Sequence, residues 1–193
     1  MNISTEQLTR AQMAKKLLAS SELIHDAAAV TAAVDKVASE ITRDLAESNP
    51  LMLCVLAGGV PFAGGLLTRL PFPLDFDYLH ATRYGENTVG TTLSWRAFPR
   101  LPVKDRVVLV VDDILDEGVT LAAIRERLLQ MGAAEVRIAV FANKEKVGEK
   151  PVKADYVGLN VPDRFVFGFG MDVQGAWRNL PAVYAVRDPR SVV

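Results

Sequence analysis

The sequence predicts an α/β fold with a mostly parallel central sheet flanked by helices. Two short, continuously apolar runs, 51–59 and 106–111, read as strands buried on both faces, the texture of a parallel sheet. Helical patterns fall after each of them, at 60–70 and 119–132. Strands alternating with helices give βαβ units with right-handed crossovers. With 193 residues, 50% of them apolar, the chain suits one domain with a sizeable core.

Residues 4–19 read as a first helix, with Leu8, Met13, Leu17 and Leu18 as a loose apolar stripe. The second helix is clearer. Val30, Val34, Val37, Ala38, Ile41 and Leu45 share one face, Asp26 is placed to cap its start, and Asn49-Pro50 closes the segment. The run "LMLCVLAGG" (51–59) follows as a strand ending in a Gly pair. A helix over 60–70 is weakened by Gly64-Gly65. Residues 73–82 alternate and read as a strand. Residues 83–100 are polar, Gly-containing and β-prone, and read as a long loop or ribbon over something else.

The strongest strand is 106–111. In the helix over 119–132, Leu121, Ile124, Leu128 and Met131 share a face, and Gly132 suits the C-terminal cap. A strand over 135–143 follows, and 154–162, 164–170 and 179–188 are strand-like.

Bulk properties exclude several classes. The net charge is -1 and the pI about 6.1, with no basic run, so nothing points to nucleic acid. No apolar run approaches the roughly 20 residues of a membrane span, and the first ten residues lack a signal-type apolar core. Cys54 is the single cysteine, which rules out an internal disulfide and points to a reducing, cytoplasmic compartment. It lies within a strand and reads as inert core. Two histidines leave little material for a zinc site or a His-based triad.

One stretch stands out, "VVLVVDDILDEGVTL" (107–121). A buried strand runs into Asp112, Asp113, Asp116 and Glu117, with no Lys or Arg among them. In open α/β sheets ligands bind at the carboxyl ends of strands, which is where these acids fall. A plain solvated turn is one reading. The backbone of 116–120, opening a helix, is also suited to cradle a phosphate, with Gly118 permitting close approach and Thr120 adding a hydroxyl. Adjacent carboxylates suit Mg²⁺ or vicinal hydroxyls. One of the acids could serve as an acid–base group. A ligand with a phosphate, a diol and a metal-bound diphosphate would satisfy the whole cluster.

The stretch resembles the phosphoribosyl-pyrophosphate (PRPP) signature of type I phosphoribosyltransferases: a strand, two acids, two apolar residues, then Asp-x-Gly-x-Thr. Over roughly 50–187 the resemblance extends to purine-salvage members of the hypoxanthine-guanine type. "LAGGVPF" (56–62) is similar to the loop that contacts pyrophosphate, with Ala57 where relatives often carry a basic residue. "RYGE" (83–86) resembles the Ser-Tyr-Gly of a mobile hood loop, with Arg83 in place of Ser. "ANKE" and "VPDRFVFGFGMDVQGAWRNLP" resemble the base-binding segments.

The resemblance implies a set of roles. Asp112, Asp113, Asp116, Glu117, Gly118, Val119, Thr120, Ala57, Gly58 and Arg178 would bind PRPP. Asp116 would be the catalytic acid–base group at the purine N7. Lys144, Phe165, Val166 and Asp172 would bind the purine, Lys144 through the 6-oxygen and Phe165 by stacking. Asp112, Asp113 and Asp172 would serve Mg²⁺, and Tyr84 and Gly85 loop closure. It implies a single domain over 1–193, with a hood from the N- and C-terminal segments, a mobile loop at about 81–100, and a homodimer or homotetramer. The expected activity joins PRPP to hypoxanthine or guanine. A xanthine- or other base-preferring relative and a PRPP-sensing regulator are the alternatives.

Overall fold

A computed structural model describes residues 5–83, 93–188 and 190. Among them, a six-stranded sheet has the order β4-β3-β2-β5-β6-β7. Its strands are β2 (Leu51–Val55), β3 (Asp75–Arg83), β4 (Leu93–Ala97), β5 (Val107–Leu115), β6 (Glu135–Glu145) and β7 (Tyr156–Pro162). All neighbours pair in parallel except β4, which returns antiparallel along β3 as an edge strand. The mostly parallel α/β class expected from the sequence is therefore the one found.

Alternation along the strands divides the core in two. Met52, Cys54, Leu109, Val111 and Phe141 pack under α2 (Ala27–Leu45) and α3 (Val60–Leu67). Leu51, Leu53, Val55, Val108, Val110, Ile138 and Val140 pack under α4 (Val119–Gln130). Both faces are covered, which is why these strands read as continuous apolar runs. The Asp26 side chain accepts from Ala29 N–H at 2.8 Å, the expected cap of α2.

A second, three-stranded sheet has the order β1-β9-β8. It joins β1 (Glu22–His25), β8 (Val166–Phe167) and β9 (Val183–Ala185), all antiparallel. Helix α1 (Thr5–Ser20) lies against it, with Leu17 packed with Phe167, Val173 and Val186. Trp177 Nε1 donates to Ala14 O at 2.8 Å across that contact.

Several expected boundaries shift: the strand expected over 51–59 ends at Val55, and the helices expected to 70 and 132 end at Leu67 and Gln130. β5 continues to Leu115 rather than stopping at 111, because Asp112 to Leu115 keep pairing with β6. β6 likewise runs on to Glu145. The strand expected over 164–170 shrinks to Val166–Phe167: Gly168, Phe169 and Gly170 all take left-handed φ (101°, 46° and 102°), which breaks the extended path. The last strand covers only Val183–Ala185. β1 had no counterpart in the sequence reading; four residues are too few to show a period. Part of the expected 83–100 ribbon is β4, while Tyr84 and Gly85 lie outside the described residues. Where the chain comes back from β4, Asp77 accepts from Arg100 N–H at 2.6 Å and Leu101 N–H at 2.9 Å. Burial works against the Asp77 charge, but these backbone donors and that of Tyr78 hold its carboxyl below its ordinary value.

Candidate active site

The strand order reverses between β2 and β5. From β2 the chain crosses by α3 to β3 on one side; from β5 it crosses by α4 to β6 on the other. That switch point leaves a crevice at the carboxyl ends of two adjacent strands. The Leu56–Ala57–Gly58 turn leaves β2 there, with a cis peptide between Leu56 and Ala57. The acidic pair stands at the end of β5, beside it.

The approach of the two strand ends is close. A Cβ at Gly59 would lie 2.7 Å from Val111 O and 2.8 Å from Val55 O, so only glycine fits. Gly118 precedes α4 with φ 82° and gives it no side-chain cap. The backbone around 116–118 therefore turns directly into the positive end of α4, a geometry suited to anions.

The resulting cleft has a volume of about 460 Å³. Of the expected PRPP-binding residues, Ala57, Gly58, Asp112, Asp113, Asp116, Glu117, Gly118, Thr120 and Arg178 all line it; Val119 does not. A smaller cleft of about 160 Å³ adjoins it, lined by Lys144, Phe165, Val166 and Met171. The two share a wall made of Asp113, Ile114, Asp116 and Asp172. All four expected base-binding residues thus fall on one small cleft. Phe165 is half-exposed at its mouth, whereas Val166 is buried.

The three aspartates of the motif have different surroundings. Burial, then the neighbouring Asp113 charge, pushes the Asp112 carboxyl well above its ordinary value. Burial also pushes Asp113 up, against the pull of Asp112 and Arg178. Asp112 Oδ1 accepts from Asp113 N–H at 2.9 Å. Asp116 behaves in the opposite way. Burial would raise it, but hydrogen bonds and charges from Lys144 and Lys146 outweigh burial and hold it below its ordinary value. Lys144 Nζ donates to Asp116 Oδ2 at 2.7 Å, and Lys146 Nζ lies 2.8 Å from Oδ1.

The stretch itself holds no Lys or Arg, but cations from elsewhere in the chain offset it. The balancing lysines come from the end of β6 and the residue after it, and Arg178 lies 3.8 Å from Asp113 Oδ2. Arg178 also pairs with Asp172 and donates to Gly170 O at 2.6 Å. Asp172 Oδ2 accepts from Gly175 N–H at 2.7 Å. Lys150 pins the site from behind, donating to Leu115 O, Asn143 Oδ1 and Lys144 O at 2.8, 2.8 and 2.6 Å. Neither Lys146 nor Lys150 stood out in the sequence. The spacing in "NKEK" carried a signal for the first, because residues two apart on a strand face the same way.

A family model for the phosphoribosyl transferase domain matches residues 20–174, and the chain belongs to that family. The hypoxanthine-guanine phosphoribosyltransferase of Streptococcus pneumoniae is 30% identical over 175 residues, which is 90% of this chain and 94% of that protein. A solved hypoxanthine-guanine-xanthine phosphoribosyltransferase shares 28% identity at a TM-score of 0.78, over 86% of this chain and 97% of that one. A hypoxanthine phosphoribosyltransferase mutant from Trypanosoma cruzi, solved as a ternary substrates complex, has a TM-score of 0.81 at 25% identity, over 89% and 97%.

Proposed function

We propose that this enzyme transfers the 5-phosphoribosyl group of PRPP to a 6-oxopurine, hypoxanthine or guanine, releasing pyrophosphate and the nucleoside 5'-monophosphate. The observation that carries this reading is the wall shared by the two clefts. A sugar phosphate in the larger cleft and a planar base in the smaller one meet at Asp113 and Asp116.

The 5'-phosphate sits on the backbone of 116–120 at the start of α4. Asp112 and Asp113 accept the ribose 2'- and 3'-hydroxyls, directly or through Mg²⁺. The C1'–O bond to pyrophosphate breaks ahead of full attack, and its electron pair leaves with the pyrophosphate. Positive charge then develops on the ribose, and the carboxylates favour that state over the neutral ground state. As the purine bonds to C1', Asp116 takes the proton from N7. Turning Lys144 from Asp116 to the purine 6-oxygen would remove one of the charges that make Asp116 a weak base. The ammonium only donates, so it selects a 6-oxo group over a 6-amino group. Phe165 stacks on the base, the backbone of Val166 meets its edge, and Arg178 meets the pyrophosphate. The hood is the three-stranded sheet with α1, and the family resemblance implies loop closure for Tyr84 and Gly85, which lie outside the described residues.

The donor set fits Mg²⁺. Two adjacent carboxylates that are costly to ionise together gain from a divalent cation. Among the described residues no group of three His, Cys, Asp or Glu is arranged to hold a metal. The ion would therefore be shared with substrate oxygens, with Asp112 and Asp113 as its ligands and Asp172 near a second one. When bound, it neutralises charge on the diphosphate.

A homodimer or homotetramer in the cytoplasm is supported by the family resemblance and the lone cysteine; among the described residues no helix is long and apolar enough to cross a membrane. Incubation with PRPP, Mg²⁺ and each of adenine, guanine, hypoxanthine, xanthine and uracil tests the function. Nucleotide is expected from hypoxanthine and guanine. Product only from xanthine would move the assignment to that base, and product from none would overturn the reading.

A further inference from the structure

Asp116 has a lysine on each carboxylate oxygen: Lys144 on Oδ2 and Lys146 on Oδ1. Lys146 also lies 3.8 Å from Glu117 Oε1. Two ammonium groups thus face the two carboxylates of one turn. Lys144 lines the smaller cleft, whereas Lys146 lines neither. Lys144 is also the more buried, its side chain 11% exposed against 28% for Lys146.

If Lys144 turns to the 6-oxo group of the base, Lys146 stays within 4 Å of both acids of the turn. That turn is the one whose backbone would seat a doubly charged phosphate. Glu117 is the residue least suited to such a seat, since its carboxylate adds repulsion where the phosphate arrives. Loss of Lys146 as well would take a nearby positive charge from both carboxylates, and their repulsion of the phosphate would rise through a partly screened medium.

We propose that Lys146 is a positioning residue for this reaction: it holds Asp116 in place when Lys144 engages the base, and it offsets Glu117 so that the phosphate seat tolerates an acid. The inference rests on the reading under Proposed function. Lys146 acts through Asp116 and Glu117, not by touching substrate.

Steady-state kinetics of the parent enzyme, Lys146→Met and Lys146→Met/Glu117→Gln, each at low and high ionic strength, test this. Lys146→Met is expected to raise the KM for PRPP about five- to tenfold, the scale of losing partly exposed ion pairs. The loss in kcat and in the KM for hypoxanthine should be smaller. Added salt should shrink the PRPP effect. The double variant should recover most of the PRPP KM, and Lys146→Arg nearly all of it. A Lys146→Met enzyme with the parental PRPP KM, or one that Glu117→Gln does not rescue, would overturn the proposal. If Lys146→Met fails to melt cooperatively, Glu117→Gln alone decides: relief of its repulsion should bring the PRPP KM below that of the parent, and an unchanged or raised KM overturns the proposal. Failure of the parent enzyme itself to make nucleotide would sink the functional reading instead, so the two failures are distinct.

Discussion

Asp113 Oδ2 occupies the space that a side chain at Gly58 would need: a Cβ there would stand 1.9 Å from it. The end of β5 and the turn after β2 are thus fitted to each other at the level of a single carboxylate. Gly58→Ala must displace that carboxylate. The atom that moves is the end of a side chain, so the fold should survive, with a melting temperature within about 4 °C of the parent, or roughly 1 kcal/mol. Misplacing a site carboxylate by about 1 Å should lower kcat/KM for PRPP about a hundredfold. Thermal melts and PRPP titrations of one preparation separate the two effects; unchanged kcat/KM would show that Asp113 does not set the PRPP seat.

Asp116→Asn keeps the shape of the site and removes the proton acceptor. Turnover should fall about a hundredfold or more, the scale of general-base catalysis. Single-turnover measurement with hypoxanthine and saturating PRPP reads this directly, and full activity would end the assigned role.

Lys144→Ala should weaken discrimination between bases. The ratio of kcat/KM for hypoxanthine over adenine is the quantity to follow, and it should drop mainly through lost hypoxanthine binding. Undiminished hypoxanthine affinity would remove Lys144 from the base site.

Asp112 predicts a pH-dependent gain in stability. Burial, with the Asp113 charge, raises its folded-state pKa. A raised carboxyl binds its proton more tightly in the fold than in the unfolded chain. Its stabilising share is therefore full below the ordinary Asp pKa of about 3.9 and is lost as pH rises through the raised value. Asp112→Asn removes that loss. Without substrate at neutral pH it should melt about 2–4 °C above the parent, roughly 1 kcal/mol for a domain of this size. The advantage should vanish toward pH 4, while nucleotide formation falls. A variant less stable than the parent at neutral pH would show that Asp112 is held by favourable contacts instead.

Long, two-sided apolar strands and strongly periodic helices were legible in the sequence, because burial on both faces of the sheet leaves a continuous pattern. So was the acidic motif, since its residues are contiguous. Lys146 and Lys150 were not: the acids that Lys146 meets lie about 30 residues away, with only the "NKEK" spacing to hint at it, and Lys150 is held by carbonyl and amide oxygens that no local pattern marks. The hood strands were short, and β8 ends where three successive residues turn left-handed, a backbone property that composition shows only through two glycines. Leu56, Ile114 and Met171 lie within the quoted segments, but which apolar residues there face a cleft is set by the fold.

The three-stranded sheet sets an order of events during synthesis. Glu22 pairs with Ala185, and Val166 pairs with Ala185 from the other side. β9 is thus the central strand of a sheet whose first strand leaves the ribosome some 160 residues earlier. The turn at the start of α4, the proposed phosphate seat, has all its residues long before then. A nascent chain therefore has the residues of that turn early and can complete the three-stranded sheet only after a loop closure of about 160 residues.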